Sequence, residues 1–470
     1  MNVKAAGKWW RTLGSFSAKE HRTFAKFLAS PYFNTRQDLQ VLYKQASERL
    51  SEEQEPEGET LWRAVHPDRP FDRPAMRHLQ SYLLKQMEAF LVHQWAASDL
   101  ARHRMDLAEA YNSKGLGGLE ASALHHAAKA LDKNQQKDDA HFQRVLRYHE
   151  LQYNAVSQQQ RSVREQLLDW SGALDDFFVL MKLRQACTMV AQQGVFKTEM
   201  RLGFLEAVLE AVEAGDFGKE PAIGIYFHAY KMLTSEAGES HYSHLVNEMQ
   251  SHGDLFPEAE ARAIYLMAIN FCIRSLNRGL PSYGAQVYEL YMKGLADGWL
   301  LENGRLSPWT YKNVVSAGLK LRRFDSVEDF IEGYRTALPP NFQYDYHRYC
   351  LAELQLARGD FQQVLRTLRF VQIKDRLAHL RARILQIKAA YELGEFSMVE
   401  YQLDNLRQLL RRKKDLAYHK GHYVDFERLA RKLVSLGPNA EQRAKLENEI
   451  AGFQGMAEMD WLLEKCRGEA

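Results

Sequence analysis

The chain has 470 residues, 62 Lys and Arg against 60 Asp and Glu, and 46% apolar residues. That length buries a large core and argues against one compact domain. The apolar and charged fractions are those of an ordinary soluble protein, and no apolar run approaches the roughly 18 residues of a membrane span, so no membrane insertion is predicted. Leu, Ala, Glu, Gln, Lys and Arg dominate and only 12 prolines occur, which favours helix. No β-sheet is predicted. Residues 1–16 carry Lys4, Lys8 and Arg11 without an apolar run or a small-residue cleavage site, so no secretory signal is read there. Cys187, Cys272, Cys350 and Cys466 lie far apart in helical patterns, as buried free thiols rather than disulfides or metal ligands. A cytoplasmic location is the expectation.

Residues 1–98 read as a small helical domain. Ser17-Ala18-Lys19-Glu20 is a capping box opening a helix with Phe24, Phe27 and Leu28 on one face. Ser30-Pro31-Tyr32-Phe33-Asn34 ends it, and Asn34 is placed to cap the next helix, which buries Leu39, Leu42 and Tyr43. An acidic connector with Glu48, Glu52, Glu53, Glu55, Glu57 and Glu59 follows. Asp72, with Pro74 two positions on, starts a long helix carrying Met76, Leu79, Leu83, Met87, Phe90 and Leu91 at near-heptad spacing. Two helices around a short turn also admit a helix-turn-helix reading. The second helix sets Arg36 and Lys44 against Asp38 and Glu48, and so lacks the basic face that phosphates need.

Residues 99–304 continue as irregular helical hairpins. Gly- and Pro-containing breaks separate apolar stripes such as Ile264, Met267, Ala268, Phe271 and Cys272. Residues 305–436 hold the clearest internal repeat. Phe324-x-x-Val327-x-x-x-Ile331, Phe361-x-x-Val364-x-x-x-Leu368 and Phe396-x-x-Val399-x-x-x-Leu403 recur at spacings of 37 (361 − 324) and 35 (396 − 361) residues. Each Phe closes a polar turn, Arg322-Arg323, Gly359-Asp360 or Gly394-Glu395, between two helical patterns. A period in the mid-thirties with two helices per period predicts stacked helical hairpins, because one hairpin leaves apolar faces that only a neighbour covers. The three Phe side chains are predicted to be buried between the helices of their own hairpin. Residues 437–470 read as capping helices with a polar outer face. The predicted fold is all-α: a right-handed solenoid of helical hairpins behind a small N-terminal helical domain.

The Gly359-Asp360-Phe361 and Gly394-Glu395-Phe396 corners resemble those of tetratricopeptide repeats over about a hundred residues. The chain departs from that family at Val327, Val364 and Val399, where a small Ala is usual, and at Val315 and Ile387 in the first helices, although Ala352 fits. The segment 16–34, with its Ser-Pro-Tyr-Phe-Asn run, is similar to the N-terminal signature of a bacterial family of helical-repeat proteins. That resemblance implies a bacterial intracellular protein and lends no chemistry.

Catalytic motifs are missing from the sequence. Gly215-Asp216-Phe217-Gly218-Lys219 lacks the spacing and the Ser/Thr of a phosphate loop, and no nucleophile elbow, Cys-x-x-Cys pair or dinucleotide fingerprint is present. No cofactor is expected and the chain is read as non-catalytic. Asp415, His419 and His422 share a helix face at i, i+4 and i+7, a permissive metal spacing that surface histidines beside a basic run explain as well. His241 and His244 carry less. Between positions 366 and 432 sixteen Lys/Arg meet eight Asp/Glu, a net +8 against +2 for the chain and therefore −6 for the rest. Such a region attracts acidic protein segments or nucleic-acid phosphates.

In tetratricopeptide-like hairpins the first helix lines the concave face. Counting back from each corner puts Trp309, Lys312 and Ser316 on that stripe, then Tyr346, Tyr349 and Glu353, then Arg381, Ile384 and Lys388. The sequence therefore predicts a scaffold that holds a protein or peptide of acidic character through Trp309, Lys312, Tyr346, Tyr349, Arg381 and Lys388. Packing of Tyr346 and Tyr349 between repeats is the competing reading of those two residues. Nucleic-acid association through positions 366–432 is the alternative function.

Overall fold

A computed structural model describes residues 7–50, 57–157, 163–196, 201–217, 220–369, 371, 376–412, 419–437, 439–453 and 457–468. The fold is all-α, with twenty-three α-helices among these residues. The chain divides into two compact units, Met1–Met181 and Lys182–Ala470.

The first unit contains α1 (Lys8–Gly14), α2 (Ala18–Ala29), α3 (Gln37–Glu48), α4 (Gly58–Val65), α5 (Arg73–Ser98), α6 (Leu100–Ser113), α7 (Gly117–Asp132), α8 (Asp139–Ser157) and the start of α9 (Arg164–Phe196). Helices α1 to α5 share one core built from Trp9, Trp10, Phe24, Leu42, Trp62, Leu83 and Phe90 among others. The Ser17 capping box is formed, with the Ser17 backbone N–H donating to Glu20 Oε2 at 2.7 Å. Asp72 caps α5 through Ala75 N–H at 3.1 Å. Asn34 does not cap α3, whose N-cap is Arg36 without a side-chain bond. It is buried, and its amide donates to the carbonyls of Leu28 (2.8 Å) and Arg36 (2.9 Å). Asn34 is buried beneath an otherwise exposed turn, and its side chain pairs the backbone of the loop instead of the helix end.

The second unit continues with α10 (Leu205–Glu213), α11 (Pro221–Thr234), α12 (Gly238–His252), α13 (Glu258–Asn277), α14 (Tyr283–Ala296), α15 (Pro308–Lys320), α16 (Phe324–Gly333), α17 (Pro340–Arg358), α18 (Phe361–Leu368), α19 (Arg376–Glu392), α20 (Phe396–Arg412), α21 (His419–Leu436), α22 (Ala440–Ala451) and α23 (Met459–Arg467). One small ribbon corrects the expectation of no strand. β1 (Leu301–Glu302) and β2 (Arg305–Leu306) pair antiparallel around Asn303-Gly304, both at positive φ, the turn geometry that Asn-Gly favours. Arg262 holds this ribbon by donating to the carbonyls of Trp299 and Leu301 at 3.1 and 2.9 Å.

The three repeat corners share one backbone device. Arg323, Asp360 and Glu395 N–H groups donate back to the carbonyls of Gly318, Gln355 and Ala390 at 3.0, 2.8 and 2.9 Å. The residue before each donor is left-handed: Arg322 at φ 54°, Gly359 at 84° and Gly394 at 72°. This is the six-to-one bond that closes a helix over a left-handed residue. Beyond the corner the valine and the aliphatic four residues later are buried in all three copies: Val327 and Ile331, Val364 and Leu368, Val399 and Leu403. The Phe residues are not, which corrects the prediction. Phe324 and Phe361 are only half-buried, and Phe396 is 49% exposed. Each is the first residue of its helix, and Cβ bonds tilt toward a helix N-terminus, so the ring projects over the corner instead of between the helices.

Within the repeat region α15 packs on α16 and α17, α17 on α18 and α19, and α19 on α20. All four cysteines are free and buried. Among the described residues no helix is long and apolar enough to cross a membrane.

Candidate partner-binding face

Helices α15, α17 and α19 carry the three predicted stripes, and α17 contacts both of the others. Pro308 and Pro340 open α15 and α17, at the position where a missing N–H costs nothing. The stripes divide by burial. Trp309 is 63% exposed and Arg381 is also exposed, while Lys312, Ser316, Glu353 and Lys388 are half-buried. Tyr346, Tyr349 and Ile384 are buried, so the two tyrosines form part of the packing between helices and present no surface to a partner.

The polar members meet around Glu353. The Tyr349 hydroxyl donates to Glu353 Oε1 at 2.6 Å. The other oxygen, Oε2, is sealed from solvent and accepts no hydrogen bond. Burial raises the Glu353 carboxyl above its ordinary pKa, against the opposing pull of Lys312 on α15, the Tyr349 hydroxyl and Arg381 on α19. Burial together with Glu353 pushes Tyr349 well up, so its hydroxyl keeps the proton it donates. Desolvation of an unpaired carboxylate oxygen is the dominant effect here, because neither cation supplies a hydrogen bond to Oε2.

The cationic end is engaged by later helices. Arg381 lies near Tyr423 on α21 and, on α17, near Tyr349 and Glu353, all of which favour its charged form against burial. Lys388 Nζ lies 2.9 Å from Glu458 Oε2 and 5.7 Å above the ring of Trp461, whose indole N–H donates to Glu392 at 3.1 Å. Counting Lys312, Arg381 and Lys388 against Glu353 and Glu458 leaves +1 (3 − 2) with both acids ionised. Tyr423, Glu458 and Trp461 lie outside the repeated stripes, at separations that carry no local sequence signal.

Part of the basic stretch 366–432 is paired with carboxylates where it is described. Arg407 reaches Glu427 at 3.1 Å, Arg428 reaches Glu449 at 2.8 Å, and Arg431 bridges Asp404 (2.8 Å) and Glu427 (2.9 Å). Lys413, Lys414 and Asp415 lie outside the described residues, as does the side chain of His419, so the Asp415, His419 and His422 set lies largely outside them. Among the described residues no group of three His, Cys, Asp or Glu is arranged to hold a metal ion. His241 and His244 on α12 instead pack with His228 on α11. His228 and His241 Nδ1 atoms are 2.9 Å apart, and the His228 and His244 rings stack at 4.9 Å. Burial and its two neighbours push His228 down to about 4, which keeps that ring neutral at pH 7.

No protein-family model, no curated protein and no solved structure matches the chain.

Proposed function

We propose that this chain is a non-catalytic scaffold that holds a protein or peptide partner across α15, α17 and α19, within a right-handed, tetratricopeptide-like solenoid of hairpins. The observation that carries the reading is the packing of each first helix on the next, with Trp309 exposed at one end and Arg381 at the other. An exposed Trp and an Arg are the side chains most often found to anchor an interface. Lys312 joins them as a rim cation. Tyr349 and Lys388 support the face through Glu353 and Glu458, and Tyr346 is buried in the packing. The excess of cations along the stripe favours an acidic or C-terminal segment with one apolar anchor. Nucleic-acid binding is less favoured, because Arg407, Arg428 and Arg431 are paired with carboxylates. Four buried thiols suit a reducing, cytoplasmic setting.

The test is capture from source-cell lysate on the immobilised protein, with mass spectrometry, for wild type and for Trp309→Ala and Arg381→Ala. The scaffold reading expects a stoichiometric protein that each variant loses while its circular dichroism spectrum is retained. Capture unaffected by both substitutions would remove this face from the account. Capture of nucleic acid that weakens steeply with salt would support the alternative.

A further inference from the structure

A second surface lies in the first unit, between α2 and α3. It is a groove of about 960 Å³. Ala18 and Ala25 line one side, and with Arg22 they stand at i, i+7 and i+4 on α2. Val41 and Lys44 line the other, and all five of these residues are exposed. Leu50 closes one end. No carboxylate lines the groove; Leu28 and the Tyr43 ring give it a largely apolar floor, His21, Gln40 and Ser47 add polar atoms, and Arg22 and Lys44 stand at the rim.

The groove is preformed. The Tyr43 hydroxyl on α3 donates to the His21 carbonyl on α2 at 2.8 Å. That hydroxyl then accepts from His21 Nδ1–H, 3.1 Å away, which fixes the ring as the Nδ1–H tautomer. Two bonds between the walls hold their separation, so a ligand pays little to order them. Alanines at helical spacing give one wall low relief, which lets a second helix, roughly 10 Å across, approach closely.

We propose that this groove binds an acidic amphipathic helix of a partner protein. Its apolar stripe fills the channel over Ala18, Ala25 and Val41, and its Glu or Asp residues flank the stripe to meet Arg22 and Lys44. This is the helix-in-groove mode of recognition, with charge complementarity setting partner and orientation. An apolar floor with one cation on each wall does not suit a nucleic-acid backbone, which needs a run of phosphate contacts.

The experiment uses the full chain and three fluorescein-labelled probes, read by anisotropy. One is a peptide of about 15 residues made of Leu, Ala and Glu with leucines at i, i+4 and i+7. The second has the same composition with the leucines distributed around the helix, and the third is a mixed-sequence DNA duplex. The first probe is expected to bind with a Kd below about 100 μM, and the second at least about tenfold more weakly. Arg22→Glu with Lys44→Glu is expected to weaken the first probe at least about tenfold. Ala25→Leu, which fills the channel without changing charge, is expected to do the same. Ala25, Arg22 and Lys44 are exposed, so these variants keep the fold, checked by circular dichroism. Absence of binding, equal binding of the two peptides, indifference to the substitutions, or preference for the duplex would each overturn the proposal.

Discussion

Gly318 gives the sharpest test of how closely the repeat helices approach. It is buried on α15, and a Cβ there would lie 2.4 Å from Val327 Cγ2 on α16 and 2.8 Å from the Tyr288 ring on α14. Carbon atoms rest at roughly 3.5 Å or more, so the overlap with Val327 is about 1 Å. Neither neighbour moves away easily. Val327 is fully buried, and a β-branched residue in a helix has one favoured rotamer. Tyr288 is buried, with its hydroxyl tied to Ser326 at 2.7 Å. Gly→Ala in a helix interior gains about 1 kcal/mol of propensity. Overpacking costs about 1–3 kcal/mol, and two rigid neighbours place this site at the upper end, so Gly318→Ala is expected to destabilise by about 1–2 kcal/mol net. Urea unfolding followed by circular dichroism, with hydrogen exchange over 308–333 to localise the effect, measures it. Val327→Ala removes the atom in the way, so the double variant is expected to be about 1 kcal/mol more stable than the sum of the singles. A Gly318→Ala protein that gains the full propensity increment would mean that α15, α16 and α14 do not approach as described.

Val364→Ala is expected to cost about 2 kcal/mol, from two buried methyl groups plus the cavity they leave, whereas Phe396→Ala, half in solvent, costs under about 1 kcal/mol; urea midpoints give the order. Arg322→Gly relieves a left-handed side-chain residue and is expected to stabilise by about 0.5–1 kcal/mol in the same assay. Glu353 has a raised pKa, so its favourable contribution is complete below the ordinary carboxylate pKa and is lost as pH rises through the folded value. Glu353→Gln, which can still accept from Tyr349, is therefore expected to raise Tm more at pH 8 than at pH 4, measured by thermal melts across that range.

The helical class, the Ser17 and Asp72 caps and the corner period were legible because each is a local pattern, set within one or two turns of chain. The Val327, Val364 and Val399 positions were named by the same pattern. Their Phe companions were misplaced, because periodicity says which residues share a face and not where the first residue of a helix points. Arg322 stands where the other two corners have glycine, and there the Phe period alone marked the corner. The Leu301–Leu306 ribbon was missed, although Asn303-Gly304 between Leu-Glu and Arg-Leu is a hairpin signal, because the whole stretch read as a break between helices. At the candidate face, counting back from the corners put Trp309, Lys312 and Arg381 on one stripe with Tyr346 and Tyr349, and did not separate the exposed Trp309 and Arg381 from the buried tyrosines. The burial of Tyr349 and the sealed oxygen of Glu353 depend on how α15 and α19 pack against α17, which one stripe at a time cannot reveal.

The central claim is that partners engage the first-helix face. Its most direct measurement is site-specific photo-crosslinking, with the reactive residue placed at position 309 on α15 or at exposed Asp329 on α16 as a control. The account expects one protein to be joined from position 309, not from 329, and the adduct to disappear when Arg381→Ala is added. Equal crosslinking from both positions, or an adduct indifferent to Arg381→Ala, would contradict it.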